Sequence, residues 1–263
     1  TAPSAACSRA PRRLSSCRYD AGLMDWRRPE AYRFTTELDA AGWAWQFLRR
    51  CEGYRADYAW FMASWRQLEA DYGKPPERDF FRWKRDLRAW RAESEIAGCG
   101  ADICPGENDR VLIECWMGAK WGFRKFPIDP VLDFPVELAW REQPFAVERL
   151  AAEEIEALPP TRVALGFDLS LPLDAQLAMA RRKLALLRHG LAQADALPPL
   201  SLKQGGPRWT IWLRLLDGLE AGASPDEISP VLGLAAPAAV LAAAKAMSCG
   251  GYRRLLLLDD GST

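Results

Sequence analysis

Histidine is nearly absent from this 263-residue chain, and His189 is its sole example. A Ser-His-Asp or Cys-His arrangement would have to use it as base, and no nucleophile turn stands near it in the sequence. Gly-rich phosphate loops are missing as well. Lys203-Gln204-Gly205-Gly206 lacks the Lys-Ser/Thr that would complete one. Carboxylates are numerous, but no pair stands isolated in apolar text as acid–base chemistry would need. The chain therefore reads as a non-enzyme without a cofactor. Metal ligation fails on the same shortage. The seven cysteines (Cys7, Cys17, Cys51, Cys99, Cys104, Cys115 and Cys249) lack the close pairs, or Cys pairs with His pairs, of a zinc site.

Net charge is missing too, with 35 basic and 35 acidic side chains. Whole-chain electrostatics thus makes no case for nucleic acid, and any such binding needs a local basic patch. No apolar run approaches the roughly 20 residues that span a bilayer, so no membrane partner is expected. Residues 1–23 lack the apolar core of a signal peptide. With Arg9, Arg12, Arg13 and Arg18 against Asp20, they read as a disordered basic leader. Met24 opens the patterned text and reads as a natural start, or else the leader is translated through from an upstream frame. Scattered cysteines without a secretory signal point to reduced thiols in the cytoplasm.

What the chain does have is tryptophan, twelve of them, implying a large buried aromatic area. A hydrophobic fraction of 49% and a charged fraction of 27% suit a globular protein of two modest domains or one large one. The fold class expected is mainly α with a small β-containing middle region, a helical N-terminal domain over 24–96, a mixed region over 97–196, and a C-terminal helix-turn-helix over 208–258. Within 24–96 a first short helix begins near Pro29, followed by a turn of helix stacking Trp43, Phe47 and Arg50. A longer helix then carries Tyr54, Tyr58, Phe61, Trp65 and Leu68 on one face, ended by Gly73 and Pro75. Phe80, Trp83, Leu87 and Trp90 suggest another amphipathic helix, its other face bearing Arg78, Arg82, Arg85, Arg88 and Arg91. Such interleaving can bind phosphate and stack on bases, though a core stripe with a solvated charged face explains it as well.

Gly98–Asn108 reads as a loop. The runs 111–123 and 131–140, and Arg162–Leu169, read as strands. The segment that follows is a helix, with Leu173, Leu177, Ala180, Leu184, Leu187 and Leu191 as its apolar stripe. Arg181, Arg182, Lys183 and Arg188 form a basic cluster on it. A Pro/Gly-rich joint then leads to Arg208–Leu258. There Pro207 opens a helix striped by Trp209, Trp212, Leu216 and Leu219 and stopped by Gly222. Ser224-Pro225-Asp226-Glu227 is a capping box starting a second helix with Ile228, Val231 and Leu232, in which Pro230 is out of place. Gly233 turns the chain into a third helix, Pro237–Ser248, with Val240, Leu241, Ala244 and Met247 inward. That third helix offers Lys245 as its one basic residue. Over 208–263 five basic side chains face six acidic ones, so phosphate attraction must come in part from elsewhere.

Two resemblances follow. Asp25–Phe34 with the Trp43-Ala-Trp-x-Phe-Leu-Arg-Arg50 core and Tyr54-Arg-x-Asp-Tyr58 resembles the proteobacterial transcriptional regulator-like domain (DUF6499). Cys51-Glu52-Gly53 stands where that family usually has Asn-Pro before the Tyr. From roughly Gly122 or Asp168 to the end, DLSLPLDAQLAMARRKL, LRLLDGLEAGASPDEISPVLG and GGYRRLL resemble the DUF2285 family, the RovC-like DNA-binding domain of type VI secretion transcription factors. Its third helix is usually richer in basic and polar residues. Related two-domain proteins activate excision and transfer of integrative and conjugative elements. The resemblances imply a bacterial helix-turn-helix transcription factor, oligomeric, with promoter or operator double-stranded DNA as partner. On the residues, Arg208, Arg214, Lys245, Arg253 and Arg254 are the candidate phosphate contacts, with Arg181, Arg182 and Lys183 contributing. The alternative is a co-regulator or anti-activator whose Ala-rich third helix packs on a partner regulator instead of on bases.

Overall fold

Asp39 begins the central helix by accepting a bond from the Gly42 amide at 2.7 Å, an N-cap that satisfies one of the free amides of the first turn. In this computed structural model, which describes residues 24–96, 109–124, 126–141, 150–194 and 201–258, that helix is α1 (Ala40–Leu48). Every residue from Trp43 to Leu48 is buried, so α1 is wrapped on all sides. A 3-10 helix, Pro29–Glu37, precedes it. Helix α2 (Glu52–Tyr72) follows and buries Tyr54, Phe61 and Leu68, the spacing of one face. It ends where Gly73 takes a φ of 85°, a left-handed value that glycine accepts without strain.

The chain is mostly helical with one small antiparallel sheet in its middle, as the sequence suggests. The sheet pairs β1 (Trp90–Ala92) with β2 (Arg110–Leu112), Arg91 opposite Val111. The remaining helices are α3 (Phe80–Trp83), α4 (Ile113–Trp121), α5 (Ala152–Glu156), α6 (Leu173–Gln193), α7 (Leu202–Glu220), α8 (Pro225–Leu232) and α9 (Pro237–Ser248), with a 3-10 helix at Gly251–Leu257.

Several elements differ from the sequence reading. The stripe Phe80, Trp83, Leu87, Trp90 does not form one helix. Asp79 and Asp86 each accept a bond from a backbone amide ahead of them, Arg82 and Arg88, and so restart the chain twice. Trp83 alone of the four is fully buried, whereas Phe80 and Leu87 are exposed. Residues 113–121 are helix α4 and not a strand. A run that is buried nearly all round shows no periodicity to separate the two states. Residues 131–139 form no strand, because their backbone serves side chains: Trp45, Gln46 and Arg49 donate to the carbonyls of Leu132, Asp133 and Pro130. Residues 162–168 form none either. Helix α7 begins at Leu202, capped by Ser201, and carries Pro207 inside it instead of at its start. The leader 1–23, the loop 98–108 with Cys99 and Cys104, and the joint residues 195–200 lie outside the described residues.

The N-terminal and C-terminal helices share one core. Trp43 of α1 meets Trp209 of α7 edge-on at 5.4 Å, and Phe47 meets Trp212 at 6.4 Å. Trp209 lies over Gly205 so closely that a Cβ there would sit 2.1 Å from its ring. The Tyr252 hydroxyl donates to the Trp121 carbonyl at 2.9 Å, tying the chain's end to α4. Cys51 and Cys249 bring their sulfurs to 3.8 Å across the same junction.

Candidate nucleic-acid interface

The C-terminal helices are built from local signals. Gly222 stops α7 at a φ of 81°. Ser224 then accepts from the Glu227 amide at 3.3 Å, while the Glu227 carboxylate accepts from the Ser224 amide at 2.7 Å. This reciprocal box holds the Glu227 carboxyl below its usual range through its bonds to the Ser224 amide and hydroxyl. Pro225 occupies the first helical position of α8, and Pro230 stays within the helix. With only two turns, α8 has few interior bonds for Pro230 to break. Gly233, at a φ of 65°, and Leu234–Ala236 link it to α9, and the two helix axes cross at 96°. Helix α7 packs against both from behind.

Ile228 and Leu232 anchor α8 in the core. A Cβ on Gly218 would lie 2.8 Å from Ile228, so that glycine sets the approach of α7 and α8. On α9, Ala244 and Ser248 are buried, Val240, Leu241 and Met247 half-buried, and Ala238, Ala239, Ala242, Lys245 and Ala246 exposed. The outward face of α9 is therefore alanine with a single cation.

The candidate cations divide into three groups. Arg208 on α7, Lys245 on α9 and Arg254 in the last 3-10 helix are exposed, and α9 packs on each of the other two elements. Arg214 is not a surface contact. It is buried and donates to the carbonyls of Trp26 at 2.8 Å and Arg27 at 3.1 Å, so it fastens the N-terminal segment onto α7. Arg253 is half-buried and donates to the Lys120 carbonyl. Their spacing in the sequence carries no sign of these long-range carbonyls, which only the fold brings to Arg214 and Arg253. Arg181, Arg182 and Lys183 are exposed on α6, which makes no substantial contact with any other helix among the described residues. The Arg-rich 78–91 stretch is also partly committed: Arg78 is buried, pairs with Glu69 at 3.1 Å and lies 4.0 Å over the Trp83 ring.

One charged cluster belongs to the interior. Arg50 donates to both oxygens of Asp217, at 2.5 and 2.9 Å, with both side chains almost fully buried. Burial opposes the Arg50 charge, but Asp217 outweighs it and the guanidinium is held more firmly protonated than usual. The Tyr32 hydroxyl donates to Asp217 at 2.5 Å, and burial reinforced by that carboxylate pushes the phenol far above its ordinary range. Arg49 beside it is pushed down to about 10 by burial and by Arg50. The sequence reading placed Arg50 in the stripe but had no means to find Asp217 as its partner. It also passed over Arg27, Arg28 and Arg33, which are exposed on the segment that packs on α7. Among the described residues no group of three or more His, Cys, Asp or Glu side chains could hold a metal ion. No single helix among them is long and apolar enough to cross a membrane.

Residues 25–84 match the family model described as a proteobacterial transcriptional regulator-like domain, which supports a regulatory role. No curated protein and no solved structure matches the chain.

Proposed function

We propose that this chain is a DNA-binding transcriptional regulator of the helix-turn-helix type, acting in the cytoplasm on promoter or operator DNA without catalysis or cofactor. The α8–α9 pair carries the reading. Two helices at about 90–120° across a turn of three or four residues, often holding a glycine, are the geometry that presents a second helix to the major groove. The 96° crossing over Gly233–Ala236 has that form, with α7 as its brace. The family match at 25–84 supports a regulatory role in the same direction.

In this reading α9 enters the groove with a small, apolar face, suited to thymine methyl groups more than to base-edge hydrogen bonds. Arg208, Lys245 and Arg254 supply phosphate contacts, supplemented by Arg27, Arg28 and Arg33 from the N-terminal segment. The test is a fluorescence-anisotropy titration of the full chain against duplex DNA from upstream of its own coding sequence. With about six phosphates neutralised, affinity should fall about 1,000-fold between roughly 50 and 200 mM salt. Arg208→Ala with Arg254→Ala should weaken every duplex alike and flatten that slope. Absence of binding at low salt sinks the proposal.

The alanine face of α9 favours a second reading. Small side chains let another helix approach closely, so the same pair could engage a partner regulator as a co-regulator or anti-activator. Loss of regulation on Ala242→Glu in a chain that binds no DNA would select that reading.

A further inference from the structure

We propose that residues 150–194 form an arm through which two copies of this chain associate as an antiparallel, two-fold pair. Eleven large apolar side chains between 163 and 187 are exposed, and no residue of α6 is buried. Val163, Leu165, Phe167, Leu169 and Leu171 alternate with small or polar residues, as one face of a strand does. Yet the backbone groups of 163–167 make no hydrogen bond among the described residues. In α6 the apolar positions Leu173, Leu177, Ala180, Leu184, Leu187 and Leu191 are separated by four, three, four, three and four residues. That spacing keeps one continuous apolar seam along the whole of α6, able to receive the alternating Val163–Leu171 face of a second arm.

Charge selects the occupant. Over 150–174 the arm carries five carboxylates and one arginine, and over 175–194 four cations and no carboxylate. Two arms running antiparallel place the acidic half of each on the basic half of the other, whereas parallel arms place like on like. Arg181, Lys183 and Arg188 flank the leucine seam, where such charges set orientation. The area agrees. At roughly 100 Å² of apolar surface per aliphatic side chain, half-uncovered, each arm offers about 500 Å². A standard interface of about 800 Å² per partner contains about that much apolar surface.

Sedimentation equilibrium of the full chain should show a mass twice 29.5 kDa. Leu177→Asp with Leu184→Asp should raise the dimer dissociation constant about 100-fold or more. Far-UV circular dichroism should stay unchanged, since these side chains cover no core of the single chain, while the unfolding midpoint should lose its dependence on protein concentration. Charge exchange gives the sharper result. Glu153→Lys with Glu154→Lys and Glu156→Lys should weaken association, and so should Arg181→Glu with Lys183→Glu and Arg188→Glu. An equimolar mixture of the two variants should dimerise as tightly as the wild type. A wild-type chain monomeric at about 100 μM, a dimer indifferent to the leucine changes, or a mixture that fails to pair would each overturn the proposal. So would a monomeric chain whose arginine variant loses duplex binding, which would give the arm to nucleic acid.

Discussion

Asp217 sits in the last turn of α7, where helix geometry turns it toward Arg50 and Tyr32 and away from water. Three polar groups satisfy one another there, and removing one strands the rest. Asp217→Asn should therefore destabilise the fold by about 3–5 kcal/mol, the loss typical when one partner of a buried pair is removed. The double change Arg50→Met with Asp217→Leu should cost less than Asp217→Asn alone, and urea unfolding of both variants checks the order. Gly205 makes the opposite kind of demand, for the absence of atoms. Its virtual Cβ stands 2.1–2.5 Å from the Trp209 ring, so Gly205→Ala should force the indole aside at about 1–3 kcal/mol. A matching loss should appear in tryptophan near-UV dichroism.

Among the elements, those set by neighbours in sequence were legible. Helix α9 was readable to the residue, and the capping box, Gly222 and Gly233 all act where their residue types imply. Ser224→Ala should lower the unfolding free energy by about 1 kcal/mol, and Ser224→Asp should restore most of it. A fall of less than a few tenths would mean that α8 is held by Ile228 and Leu232 alone. What failed to show was set by distant partners. Nothing local in 131–140 announces that its carbonyls are needed by Trp45, Gln46 and Arg49, and Ile113–Trp121 is helix because it is enclosed, which a sequence window does not record. For the same reason the sequence does not separate Arg208 from Arg214: they lie six residues apart on one helix, yet one faces solvent and the other donates to the Trp26 carbonyl.

At the scale of the whole molecule, buried phenols tie stability to alkali. Tyr32 and Tyr54 are both pushed far above the ordinary tyrosine value, mainly by burial. The folded chain keeps these protons where the unfolded chain, with phenols near 10, has lost them. Stability from this source is complete below pH about 10 and declines above it. Urea midpoints measured at pH about 9 and about 11 should show the fall, and the phenolate absorbance of these two residues should rise only as the chain unfolds. The shared core has a different consequence, one of chain connectivity. Helix α1 is enclosed by elements beyond residue 200, whereas α6 stands apart between the two halves. Residues 25–84 expressed alone should remain unfolded. Residues 1–141 and 150–263, produced as separate polypeptides and mixed, should recover helical dichroism that neither shows alone, because the packing of α1 on α7, α9 and the last 3-10 helix joins residues from both fragments. Two fragments that stay unstructured when mixed would refute this.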